Sequence, residues 1–161
     1  MLVYYFSNDY EECFVTGRIR CIEGDITDPA SLRQLDEVDI GTVINCAALV
    51  KHFDASGALE RVNVQGVQNL IDCCMGRNRR LIQISTVSVA GESINDIPDA
   101  GRQLHENELF FGQLLENDYV RSKFCAERAI LEAIPKGLDA KIMRVGNLMA
   151  RHSDGEFQIN F

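Results

Sequence analysis

The sequence predicts an α/β fold in which helices flank a parallel sheet. Short apolar runs rich in β-branched residues alternate with longer amphipathic stretches, an order typical of parallel strands joined by right-handed crossovers. Two of the runs, at 42–46 and 80–85, are nearly continuously apolar, which indicates strands buried on both faces of the sheet. The predicted strands are 18–22, 42–46, 80–85 and 140–145.

Three helices are predicted between these strands. The first begins at Asp28-Pro29-Ala30, with aspartate at the cap and proline in the first turn. The second follows apolar residues at helical spacing across 59–71 and closes at Gly76. The third covers about 119–134 and is ended by the proline that follows. Residues 91–117 show weak periodicity and are predicted to form a long loop at the active site.

The composition is that of one globular domain covering residues 1–161. The chain has 46% hydrophobic and 25% charged residues, and its net charge of −8 argues against a nucleic-acid or anionic membrane surface as partner. No apolar run approaches the length of a membrane span, and we expect a soluble, cytoplasmic protein. The six cysteines and three histidines lack metal-ligand spacing, so no metal site is expected.

Two predicted turns at the ends of strands carry candidate cofactor-binding residues. In Gly24-Asp25-Ile26-Thr27, Asp25 can accept a hydrogen bond from an adenine amino group while Ile26 packs on the ring. The alternative is an aspartate that ends a strand and caps the next helix. In Asn45-Cys46-Ala47-Ala48, small residues let the backbone approach the sugar and phosphates of a cofactor, and simple tight packing is the alternative.

Two asparagines stand at unusual places. Asn63 lies inside a predicted helix, where asparagine is a poor helix former; its side chain is either buried and bonded to backbone or exposed. Asn147 ends Arg144-Val145-Gly146-Asn147, after the last predicted strand, where the backbone of the loop can face a nicotinamide or a substrate.

Tyr119 and Lys123 are the strongest candidates for chemistry. They are four residues apart in a predicted helix and therefore share one face. The ammonium can lower the pKa of the phenol and prepare it to donate a proton to a reacting carbonyl. A hydroxyl at the end of an apolar strand would hold the same carbonyl oxygen; Thr86 lies nearest the strand end, and Ser88 is its rival.

The order of these motifs resembles that of the extended short-chain dehydrogenase/reductases, which have a Rossmann-like fold. The shared order is Asp-Ile, Asn-x-Ala-Ala, a helical Asn, Ser-Thr, Tyr-x-x-x-Lys and Arg-x-Gly-Asn. The local sequence is similar to that of the terminal thioester reductase domains of nonribosomal peptide and polyketide synthetases. That similarity rests on 24–27, 46–53, 112–113, 119–127 and 144–161.

The resemblance implies a role for each candidate residue. Thr86 and Tyr119 would hold the carbonyl oxygen of a thioester on the phosphopantetheine of a carrier protein, and Tyr119 would donate the proton. Lys123 would bond the ribose hydroxyls next to the nicotinamide of NADPH and keep the Tyr119 pKa low. Asp25 and Ile26 would contact adenine, and Asn45 through Ala48, with Ala47 between them, would line the dinucleotide groove. The product would be an aldehyde or, after a second reduction, an alcohol.

The family pattern also has parts that this chain does not match. The chain has no Gly-x-x-Gly-x-x-Gly loop, so the first βαβ unit is expected to be absent and the chain to be an internal piece of a larger reductase. The resemblance therefore implies NADPH as the cofactor of the parent reductase rather than of this chain alone. We expect the strands at 18–22 and 42–46 either to pair directly or to leave an edge that a second chain covers, as in a homo-oligomer.

Two other functions remain open from the sequence. One is a nucleotide-sugar epimerase or dehydratase on the same scaffold, which keeps a tightly bound NAD. The other is a chain that is catalytically inert by itself.

Overall fold

A three-stranded parallel sheet forms the centre of the structure, a computed structural model that describes residues 11–91, 105–147, 152 and 155. Its strands are β1 (Thr42–Asn45), β2 (Arg80–Thr86) and β3 (Ala140–Val145), in the order β1-β2-β3. Asn45 lies opposite Gln83 in the first pairing, and Ser85 lies opposite Arg144 in the second. The predicted α/β fold and three of the four predicted strands are confirmed.

The three predicted helices form, and the second of them begins with a π-helical turn. The helical elements are α1 (Glu11–Val15), α2 (Pro29–Leu32), the 3-10 turn Arg33–Glu37, the π turn (Glu60–Gln65), α3 (Gly66–Met75), the 3-10 turn Val87–Ala90, α4 (Asp118–Ala133) and the 3-10 turn Ile134–Lys136. The Asp28 carboxylate accepts a hydrogen bond from the Ala30 amide at 2.9 Å and caps α2, and Asn117 caps α4 through the Val120 amide at 3.1 Å.

Helices α3 and α4 pack on one face of the sheet. The side chains of Ile71 on α3, Leu81 on β2 and Ile130 on α4 meet in one core cluster, and each is at most 1% exposed. Burying a side chain of this size contributes about 1.5–3 kcal/mol. Ile44 and Met143 point to the other face and are 60% and 53% exposed. The prediction that the strands at 42–46 and 80–85 are buried on both faces is therefore wrong for β1, because both packing helices lie on one side.

The predicted strand at 18–22 does not form. The Ile19 amide donates to the Cys13 carbonyl at 2.9 Å, which bonds the start of this segment back onto the end of α1. Ile19 and Ile22 are 39% and 37% exposed, and among the described residues β1 pairs only with β2. Direct pairing of the two segments is thus wrong, and cover of the β1 edge by a second chain stays a prediction.

Candidate active site

The head group of Lys123 lies against the end of β2. Lys123 is 5% exposed, and its Nζ donates a hydrogen bond of 2.7 Å to the carbonyl oxygen of Ile84. Tyr119 precedes it by one turn of α4 and is half-buried. The helix therefore brings the predicted tyrosine and lysine to the strand that ends in Thr86.

Thr86 is the last residue of β2. Its Oγ1 accepts a hydrogen bond from the Ser88 amide at 3.2 Å and caps the 3-10 turn that follows. Because this bond uses an oxygen lone pair, the hydroxyl proton remains free to be donated. Ser88 lies beyond the strand and is exposed. The strand end thus offers the Thr86 hydroxyl as a fixed donor.

Burial is the main cause of the pKa shifts of Tyr119 and Lys123 on α4. Burial raises the pKa of Tyr119, which is opposite to the direction expected from a neighbouring ammonium. Burial lowers the pKa of Lys123, and the Glu127 carboxylate and the Cys46 thiol oppose that shift. The phenol is therefore protonated at neutral pH, as a proton donor must be.

A second polar chain reaches the Ile84 carbonyl from β1. Asn45 is 4% exposed; its Nδ2 donates to Gln83 Oε1 at 2.9 Å, and its Oδ1 accepts from the Ala47 amide at 3.0 Å. Gln83 Nε2 in turn donates to the Ile84 carbonyl at 2.9 Å. The Asn45 side-chain amide is thus held in place by one hydrogen bond at each of its polar atoms.

Glu127 is a buried carboxylate that the sequence reasoning missed. It is 0% exposed and accepts hydrogen bonds from Ser85 Oγ at 2.5 Å and from Arg144, the shortest at 2.8 Å. Its signal in the sequence was the spacing of Tyr119, Lys123 and Glu127, each four residues apart on one helix face.

Four of the predicted cofactor-binding residues line one cavity of about 390 Å³ beside β1. They are Asp25, Ile26, Asn45 and Ala47. Ala48, Lys123 and Asn147 are not part of its lining, and Asn147 is exposed beyond β3. The structure therefore gathers the adenine-side candidates and leaves Asn147 apart from them.

The turn that carries Asp25 and Ile26 is held from both sides. Asp25 Oδ1 accepts from the Thr27 amide at 2.8 Å, and this bond lowers the Asp25 pKa. Ile26 packs so closely on α3 that a Cβ at Gly66 would lie 2.8 Å from its Cδ1. The Ile26 carbonyl also accepts from Asn69 Nδ2 at 2.9 Å. Since Asp28 is the cap of α2, the alternative of Asp25 as that cap is wrong.

Asn63 joins the segment after β1 to α4. Its Oδ1 accepts from the Leu49 amide at 2.8 Å, and its Nδ2 donates to the Leu49 carbonyl and to Ser122 Oγ, both at 2.9 Å. It is 2% exposed, which confirms the buried alternative.

Two kinds of feature are absent from the part of the chain that the structure describes. In residues 11–91 and 105–147 no helix has the length and apolar character needed to cross a bilayer. Over the same residues no three His, Cys, Asp or Glu side chains group in a way that could hold a metal ion.

Comparison with known proteins decides the family. The model of an NAD-binding family described as "male sterility protein" matches residues 3–161. The chain belongs to this male sterility protein family. The predicted resemblance to short-chain dehydrogenase/reductases of the thioester reductase type is confirmed.

Solved and curated relatives of the family are longer than this chain. The chain is 49% identical to a thiolation-reductase di-domain from an archaeal non-ribosomal peptide synthetase, with a TM-score of 0.86, over 98% of this chain and 34% of that one. It is 38% identical to the reductase domain of the aureusimine biosynthetic cluster, with a TM-score of 0.63, over 74% and 31%. It is 31% identical over 128 residues to D-erythronate dehydrogenase of Cupriavidus necator, covering 71% of this chain and 38% of the relative. The chain thus spans about a third of each solved relative and 38% of the curated one.

Proposed function

We propose that this chain is part of an NADPH-dependent reductase that releases a carrier-protein thioester as an aldehyde or an alcohol. The observation that carries the proposal is the hydrogen bond from the Lys123 Nζ to the Ile84 carbonyl. Lys123 lies one helical turn after Tyr119, and Ile84 lies two residues before Thr86. The 49% identity to a thiolation-reductase di-domain supports a carrier-bound substrate.

The described residues fit the adenosine half of NADPH. The cavity beside β1 offers the exposed Asp25 carboxylate, the half-buried Ile26 side chain and the small Ala47, which suit an adenine amino group, its ring and a nearby sugar. We assign Asn45, which lines the same cavity, and Ala48, which follows it closely in the chain, to the dinucleotide groove, and the backbone at Asn147 to the nicotinamide side. When bound, NADPH supplies a hydride to the thioester carbon.

The chain's own residues act on the carbonyl oxygen. The Tyr119 phenol donates its proton to that oxygen as the carbon gains the hydride, and the Thr86 hydroxyl donates a hydrogen bond to it. The resulting hemithioacetal gives up its hydroxyl proton as the C–S bond breaks. The departing sulfur takes up a proton and leaves as the pantetheine thiol, and the aldehyde is the product. Lys123 holds the ribose hydroxyls of the cofactor. Repeating the reduction on the aldehyde gives the alcohol.

The Tyr119→Phe variant of the reductase that contains this sequence tests the proposal. Phenylalanine keeps the ring and removes the proton, so we expect thioester-dependent oxidation of NADPH to fall at least about 100-fold, the contribution typical of general acids. NADPH affinity should stay within a few-fold. Undiminished turnover would reject Tyr119 as the proton donor.

Thr86→Val and Ser88→Ala form a matched pair that separates the two candidate hydroxyls. The loss of one donor to an oxyanion costs roughly 100-fold or more in kcat. We expect that loss for Thr86→Val only, and the reverse pattern would move the role to Ser88.

Calorimetric titration of NADPH into the 161-residue chain, with its mass measured on the same sample, tests how much of the site this chain holds. Saturable micromolar binding means that the site assembles without a glycine loop. No binding means that the residues are half of a site in a longer reductase. NAD that copurifies, with conversion of a nucleotide sugar and no net use of NADPH, would favour the epimerase alternative.

A further inference from the structure

Glu127 connects the helix of Tyr119 and Lys123 to two strands at once. Its Oε1 accepts from Ser85 Oγ on β2 at 2.5 Å, and its Oε2 accepts from both Nε and a terminal nitrogen of Arg144 on β3, at 3.0 and 2.8 Å. Ser85 and Arg144 are direct neighbours across the β2–β3 pairing. The carboxylate therefore spans one rung of the sheet, and we name these three residues the carboxylate clamp.

The carboxylate clamp is joined through the chain to each proposed reacting group. Ser85 is followed directly by Thr86, and Glu127 stands one turn after Lys123 and two turns after Tyr119 on α4. Any slide of α4 along the sheet would break the bonds of a carboxylate that is 0% exposed, and a buried carboxylate without its partners is strongly unfavourable. The clamp thus resists a change in the height of Tyr119 and Lys123 relative to Thr86.

The same carboxylate lies one helical turn from Lys123 and is the main charge that favours its ammonium. On its own helix, Lys123 has Tyr119 and Glu127 as neighbours one turn away on either side. The segment after β1 brings the Cys46 thiol near it, and β2 brings an uncharged backbone carbonyl. On β3, Arg144 binds the other side of the Glu127 carboxylate. Burial disfavours the ammonium, and Glu127 opposes that effect.

We propose that Glu127 is a positioning residue of the reductase site: it fixes α4 at the height where Tyr119 and Lys123 meet the end of β2, and it supplies the countercharge of the Lys123 ammonium. The inference rests on the proposed function for its kinetic consequences, and on the helical spacing of Lys123 and Glu127 for its effect on Lys123.

Two substitutions in the reductase that contains this sequence separate position from charge. Glu127→Gln keeps the length and loses the charge; Glu127→Asp keeps the charge but is too short to reach both strands. We expect kcat to fall roughly 10- to 100-fold in each, the cost of misplacing reacting groups by about 1 Å, with the Kd for NADPH within a few-fold. Glu132→Gln is the matched control, because among the described residues Glu132 pairs only with Arg128, on the exposed side of the same helix, and it should match the wild type.

Lys123 itself gives a readout that needs no substrate. The rate of its acetylation by acetic anhydride is followed against pH by mass spectrometry, with the exposed Lys136 and Lys141 as internal references. The midpoint should fall by about one pH unit in Glu127→Gln, since a neighbouring charge is worth one unit or more. It should stay near wild type in Glu127→Asp and Glu132→Gln. A looser structure would relieve the burial that disfavours the ammonium, so it would move the midpoint up rather than down.

The outcomes are separable. An unshifted midpoint in Glu127→Gln, together with kcat values that follow only the folded fraction in denaturation experiments, would overturn the proposal and leave Glu127 a structural residue. A wild-type protein that reduces no thioester would reject the proposed function, while the labelling midpoint would still decide the role of Glu127.

Discussion

The Nδ2 of Asn63 donates a hydrogen bond of 2.9 Å to the hydroxyl of Ser122, and this bond joins the π turn to α4. The Ser122 hydroxyl in turn donates a hydrogen bond of 2.7 Å to the Tyr119 carbonyl. The same asparagine holds both backbone groups of Leu49. One amide thus ties the segment after β1 to the turn of α4 that carries Tyr119.

Replacing Asn63 with alanine should lower the free energy of unfolding by about 2–4 kcal/mol, because three hydrogen bonds are lost and the Leu49 groups are left unpaired. Urea denaturation measures the change. The exposed Asn107 provides the control, and Asn107→Ala should stay within about 0.5 kcal/mol of wild type. Equal effects of the two variants would contradict the structural role of Asn63.

Gly91 should tolerate a side chain far less well than Gly112. Both have a positive φ, 79° and 77°, but a Cβ at Gly91 would lie 2.5 Å from Gln113 Cβ, whereas nothing lies within 4 Å of a Cβ at Gly112. Gly112→Ala should cost about 1–2 kcal/mol from backbone strain alone. Gly91→Ala should cost about 1–3 kcal/mol more from overpacking, as measured by urea denaturation. Similar free energies of unfolding for the two variants would show that the segment around Gln113 moves freely away from Gly91.

Gly66→Ala should weaken NADPH binding while leaving stability nearly unchanged. The added Cβ would meet the end of the Ile26 side chain, which must move from its place in the cavity. Alanine in a helix gains about 1 kcal/mol over glycine, which offsets the displaced contact. Calorimetry should show a Kd several-fold higher. Gly41→Ala, where nothing lies within 4 Å of the new Cβ, should leave both quantities unchanged.

Asp54 should make stability depend on acid pH. Its hydrogen bonds from Ser56 and the Leu59 amide lower its pKa from 3.8 to about 2. Because the folded pKa is the lower one, this contribution is complete above 3.8 and is lost as the pH falls through 3.8 toward 2. The urea midpoints of wild type and Asp54→Asn should therefore differ at neutral pH and converge toward pH 2. Asp39→Asn is the control, since Asp39 is exposed and has no hydrogen-bond partner among the described residues.

The strands that sequence patterns predict well are those with a partner in the chain. The apolar runs that became β1, β2 and β3 each pair with a neighbour. The run at 18–22 carries isoleucines at 19 and 22 but has no described strand beside it, and the Ile19 amide bonds back to α1 instead. Apolar composition reports that a segment prefers to be buried, and strand formation also needs a pairing edge.

The candidate site was predictable where spacing carries the information. Tyr119 and Lys123 share a helix face because of their separation, and Asp25, Ile26, Asn45 and Ala47 meet because their turns follow one edge of the fold. The role of Glu127 was not predictable from pattern alone, because glutamate on a helix is usually exposed. Its burial depends on Arg144, a residue 17 positions away that only the folded sheet brings near.

The π turn makes two distant contacts depend on a residue count. The Gly66 amide bonds to the Arg61 carbonyl, five residues back, so this turn holds more residues than an α-helical turn. Asn63 lies within the turn and faces α4, while Gly66 begins α3 and faces Ile26. Deleting Val64 between them would rewind the turn toward α-helix and rotate the two faces by about 100° relative to each other. The contact of Asn63 with Ser122 and the contact of Gly66 with Ile26 could then not form together. The number of residues in this turn is therefore constrained as well as their identity.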